Sequence, residues 1–112
     1  MTGPPVPAVL VSTSVDSEAT ALALADAMVA GRLAACVQVA GPVTSIYRWQ
    51  GTIERAPEWT CQMKTTPDRA ASLVERIRAM HPYQVPEILV VAVAGGDPEY
   101  LVWLAESTAI NP

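Results

Sequence analysis

LAACVQVAGPVTSIYRWQGTIERAPEWTCQMKT, residues 33–65, sets two long segments of strand character on either side of Gln50-Gly51. Residues 33–49 are too rich in β-branched side chains for a loop of that length, and they lack helical periodicity. They read as one long strand kinked at Gly41-Pro42, where a β-bulge fits. Gln50-Gly51 turns the chain. Residues 52–65 return as a second strand, alternating Ile53, Trp59, Cys61 and Met63 against Glu54, Glu58, Thr60, Gln62 and Lys64. Pro57 has no amide donor and marks an edge or bulge.

Toward the amino terminus, Ala8-Val9-Leu10-Val11 reads as a first strand ending in the polar turn Ser12-Thr13-Ser14-Val15-Asp16. Asp16 or Ser17 can cap a helix over residues 18–30, with Leu22, Leu24, Met28 and Val29 on one packing arc and Gly31 as its stop. Toward the carboxyl terminus, Thr66-Pro67-Asp68 starts a second helix with a capping hydroxyl, proline at the first position and an early acid. Ala70, Leu73, Ile77 and Met80 form its apolar stripe.

The segment Met80-His81-Pro82-Tyr83-Gln84-Val85-Pro86-Glu87 follows, with the only histidine of the chain. Each proline fixes its own φ and pushes the residue before it out of the α region, so this loop is pre-shaped. Residues 88–94, ILVVAVA, read as a strand buried on both faces. Gly95-Gly96 breaks the chain, and Asp97-Pro98-Glu99 opens a last helix carrying Leu101, Trp103 and Leu104.

The order is βαββαβ plus a terminal helix, an α+β ferredoxin-like plan with a long hairpin, helices on one sheet face and a bare second face. A single domain is expected over residues 8–112, behind a disordered tail at 1–7. Hydrophobic residues make up 51% and charged residues 16%, a high apolar load for a chain of 112 residues. Self-association is the expected cover for the surplus.

A net charge of −4, with only seven Lys and Arg spread along the chain, excludes the clustered basic face that nucleic acid requires; cationic ligands remain compatible. No apolar run approaches the ~20 residues of a membrane span, and residues 1–7 do not resemble a signal peptide, so a cytoplasmic protein is expected. Cys36 and Cys61 have no CxxC spacing. With an unbroken hairpin register Cys36 falls opposite Thr65, so two free, buried thiols are expected.

Residues 33–37 (LAACV), 45–51 (SIYRWQG), 64–66 (KTT) and 81–87 (HPYQVPE) carry a further signal. In these segments, their order and their spacing, the chain closely resembles the CutA family of divalent-cation tolerance proteins, from Val9 to about Ala105. The resemblance implies a homotrimer with an architecture similar to the PII signalling proteins, and tolerance of copper and other divalent metals. The family's proposed copper ligands fall here at Ser12, Met80 and His81, of which only His81 keeps its ligand type.

Cys36 is the other plausible soft donor, with Met80 as a thioether. Two roles are open to His81, metal ligand or helix-end imidazole bonded to backbone or carboxylate, and Met80 equally suits the apolar stripe of its helix. The resemblance also places Trp49, Glu58, Lys64, Tyr83 and Glu87 around an intersubunit cleft. Those five suit either a small ligand or a subunit contact with aromatic anchors. Enzymatic function is not expected: there is no nucleophile beside a base, no phosphate-binding glycine loop and no paired catalytic carboxylates. The expectation is a non-catalytic, weakly copper-binding tolerance protein, against a small-molecule sensor or adaptor of PII type.

Overall fold

The computed structural model describes residues 6–110. Its elements are β1 (Ala8–Val15), α1 (Glu18–Ala30), β2 (Cys36–Trp49), β3 (Thr52–Thr65), α2 (Pro67–Met80), β4 (Ile88–Val93) and α3 (Pro98–Ser107). Residues 1–5 of the expected tail lie outside the described residues, whereas Val6 packs against the cluster of Ala8, Leu101 and Leu104. The strands form one antiparallel sheet in the order β2-β3-β1-β4, the ferredoxin-like arrangement.

The hairpin turns at Gln50 and Gly51, both with positive φ (50° and 82°), the geometry of a two-residue turn whose twist matches its strands. A bulge lies at Gly41-Pro42: Ala40 pairs with Thr60 and Val43 with Glu58, so two residues of β2 face the single Trp59. The extra residue corrects the expected register, placing Cys36 opposite Lys64 and not Thr65. Gly41 is required here. A Cβ on it would stand 2.7 Å from the Trp59 ring, and its φ is 156°. Pro57 sits where β3 has lost β1 as a neighbour, since β1 ends at Val15 opposite Trp59.

β1 continues through Ser12, Thr13 and Ser14 instead of turning there. It is a central strand, paired with β3 on one side and β4 on the other. That pairing satisfies its backbone on both edges, which outweighs the polarity of three short hydroxyl side chains. Thr13 is fully buried, and its hydroxyl has no hydrogen-bond partner among the described residues.

Val9, Val11 and Val15 alternate toward α1 and α2, where they meet Cys61 and Met63 of β3 with Leu24, Met28, Leu73 and Ile77 of the helices. α1 packs by Ala21, Leu24 and Met28 only. Leu22 and Val29 stay about half exposed, so its buried arc is narrower than expected. Ser17 caps α1, accepting a hydrogen bond from the Thr20 amide at 3.1 Å. Thr66 makes no side-chain capping bond; Gly31 ends α1 as its C-cap, as expected, while the left-handed residue is the next one, Arg32.

Two expectations about exposure are corrected. α3 buries Leu101 and Leu104 against Ala8 and Val93. Ala8 alternates with Val9, so α3 covers one end of the face opposite α1 and α2, and that face is only partly bare. β4, read as buried on both faces, is an edge strand within one chain, with Leu89, Val90 and Val91 about half exposed. An apolar run signals that a strand is to be covered, not by what. Cys36 is half-buried and Cys61 buried, and both thiols are free. Burial raises the Cys61 thiol above its usual pKa.

Candidate functional site at the 80s loop and the hairpin

α2 ends because Pro82 bars His81 from helical geometry; His81 adopts φ −72°, ψ 134° and turns the chain inward. Its ring is buried and committed on both nitrogens. The Tyr83 amide donates to Nδ1 at 3.1 Å, and Nε2 lies 2.9 Å from the Ser14 carbonyl oxygen. Since Nδ1 accepts, the proton is on Nε2, which donates to Ser14: a neutral imidazole in one defined tautomer. His81 thereby ties the end of β1 to the loop that follows α2.

Tyr83 continues the chain of contacts. Its hydroxyl donates to Glu58 Oε2 at 2.8 Å, and its ring packs edge-on to His81 with centroids 4.8 Å apart. Glu58 stands on β3 opposite Val43, immediately past the bulge. Burial first, then the hydrogen bond to Glu58 and its charge, with a smaller contribution from Asp16, push the Tyr83 phenol well above its usual pKa. The phenol therefore stays protonated and remains a donor at neutral pH.

Between this loop and the overhanging hairpin lies a cleft of about 560 Å³. Trp49, Glu58, Tyr83 and Glu87, four of the five residues expected there, line it, together with Tyr47 and Val85 among others. Lys64 does not. It lies six residues along β3 from Glu58, roughly 20 Å at the strand rise, with its ammonium 5.7 Å from the centre of the Tyr100 ring. Tyr47 joins the site unannounced; the SIYRW pattern held the signal, because past the bulge Tyr47 and Trp49 fall on the same face as Glu58.

The candidate metal ligands are not brought together within one chain. Cys36 pairs with Lys64, which pairs with Leu10, four residues along β1 from the Ser14 that holds His81, or about 13 Å. Met80 ends α2 with its side chain partly exposed, while that of His81 is buried. Ser12 lies within β1, opposite Gln62. No group of three His, Cys, Asp or Glu side chains that could hold a metal ion occurs among the described residues. The residues present do not form a ready metal site, since the one imidazole has no free lone pair and its soft companions are elsewhere.

The chain is thus an α+β ferredoxin-like protein with an overhanging hairpin, carrying an aromatic and acidic cleft at the loop after α2. The family model of the CutA1 divalent ion tolerance protein matches residues 9–107. Over 99 residues the chain is 46% identical to the divalent-cation tolerance protein CutA of Thermus thermophilus, covering 88% of this chain and 96% of that protein. The solved structure of the Thermus thermophilus protein gives a TM-score of 0.88 at 45% identity, over 91% of this chain and 99% of that one. CutA1 from Oryza sativa gives 0.90 at 32% identity, over 96% and 98%.

The chain belongs to the CutA1 divalent ion tolerance protein family. It is a non-catalytic tolerance protein, in keeping with that family.

Proposed function

We propose that the chain works as a cytoplasmic homotrimer that binds copper or another divalent metal weakly and contributes to tolerance of it. The observation that carries the assembly is the apolar surface left open on one chain: β4 with Leu89, Val90 and Val91, and the hairpin with Val43, Ile46 and Ile53. Such edges and patches are ordinarily covered. Two free thiols suit a reducing compartment.

Weak metal binding follows from the state of His81. Copper at Nδ1 displaces the Tyr83 amide; copper at Nε2 displaces the Ser14 carbonyl and sends the Nε2 proton either to solvent or to Nδ1, where it ends the Tyr83 contact too, so each mode loses at least one hydrogen bond worth about 1 kcal/mol before any metal bond is counted. Met80 and Cys36 are the donors a neighbouring copy can add. Calorimetric titration with Cu(II), and with Cu(I) under reducing conditions, tests this beside His81→Ala. Saturable binding lost in the variant is expected; binding unchanged by the substitution contradicts it.

A second reading is favoured by the cleft itself. The hydrogen bonds through His81, Tyr83 and Glu58 build one wall in advance, which is how a small-molecule site is pre-organised. On that reading the protein is a sensor or adaptor acting through a ligand at the cleft.

A further inference from the structure

We infer that the cleft is a site for an organic ammonium ion, a primary or quaternary amine carrying a short apolar or aryl group. This deepens the second reading and rests on it. Tyr47, Trp49 and Tyr83 line the cleft with Glu58 and Glu87, and among the described residues of one chain no Lys or Arg lines it. Aromatic faces attract a cation through their quadrupoles, and two carboxylates add net charge of the complementary sign. An anionic ligand meets repulsion from both. The volume suits a molecule of metabolite size.

The placement of the carboxylates favours the same ligand. Tyr83 holds Glu58 through Oε2, fixing the direction of the carboxylate. The rise in the Tyr83 pKa has the charges of Glu58 and Asp16 among its causes, so the wall carries negative potential beyond its two lining acids. A hydrated divalent ion is served less well, because the cleft offers aromatic carbon where such an ion requires several oxygens. An amine with an apolar tail uses both kinds of surface.

The test is calorimetry on the assembled full-length protein at pH 7, with 2-phenylethylamine and 2-phenylethanol as probes of matched shape and different charge. The amine is expected to bind about tenfold or more tighter than the alcohol. Glu58→Gln and Glu87→Gln are each expected to weaken the amine by about tenfold without moving the thermal transition, since an amide oxygen at 58 still accepts from Tyr83. Equal binding of amine and alcohol, unaffected by either substitution, keeps the cleft as a ligand site and overturns the ammonium assignment. Binding of neither probe overturns the ligand reading and the assignment with it. A crystal structure of the assembly with a Lys or Arg of a neighbouring copy seated on Glu58 also overturns the assignment.

Discussion

Under α1 and α2, Val11, Val15, Met63, Leu73 and Ile77 have no exposed surface, whereas Ile46 and Ile53 on the hairpin and Leu89 and Val91 on β4 keep 52–64% of theirs. The two regions belong to one sheet and are similarly apolar. They differ in their cover: the first is closed by helices of the same chain, and the second has none within it. The first region accounts for the folding of a single chain, and the second is the surface that the proposed assembly would cover. The cleft lies at their junction, where β1 ends and the 80s loop takes its place beside β3.

Substitutions on the two sides of that divide are expected to separate folding from association. Leu73→Ala removes a fully buried side chain between α2 and the sheet, and a loss of about 2–5 kcal/mol in denaturant titration is expected. Val91→Asp places a charge on the open β4 edge. It is expected to leave the circular dichroism spectrum native while weakening association by about 2 kcal/mol or more, seen as dissociation at micromolar concentration. A Val91→Asp chain that unfolds while staying associated would show that the β4 edge serves folding and not association.

Gly41→Ala probes the bulge that aims the hairpin. The new methyl meets the Trp59 ring at 2.7 Å in a backbone conformation that suits glycine, and a loss of about 1–3 kcal/mol is expected by chemical denaturation. The smallest expected effect is a pH dependence at Tyr83. Its phenol is raised in the folded state, so its contribution to stability is whole below about pH 10, where an unfolded phenol titrates, and falls as pH rises above that. The unfolded chain then releases a proton that the folded chain still holds. The difference between wild type and Tyr83→Phe in denaturation midpoint is expected to shrink from pH 9 to pH 11.

Elements that depend on local signals were legible in the sequence: the turn at Gln50-Gly51, the helix starting at Pro67, the bulge at Gly41-Pro42 and the loop shaped by Pro82 and Pro86. What escaped depended on neighbours distant along the chain. Ser12, Thr13 and Ser14 look like a turn until β3 and β4 are placed on either side of them. The register of Cys36 turned on counting the bulge, and the exposure of β4 on its position at the sheet edge. At the site, the grouping of Trp49, Glu58, Tyr83 and Glu87 came from the resemblance, and the displacement of Lys64 follows from simple strand length. No local pattern pairs His81 with Ser14, 67 residues earlier, so the commitment of both ring nitrogens was invisible until the fold was known.

Whether other copies of this chain cover the hairpin and the β4 edge is read from the mass in solution by multi-angle light scattering at micromolar concentration. A single chain has a mass of 11.9 kDa, so three times that, about 36 kDa, is expected for the wild type, with a shift toward one chain for Val91→Asp. A wild-type mass of one chain, with Leu89 and Val91 still open to solvent by hydrogen exchange of their amides, contradicts the proposed assembly.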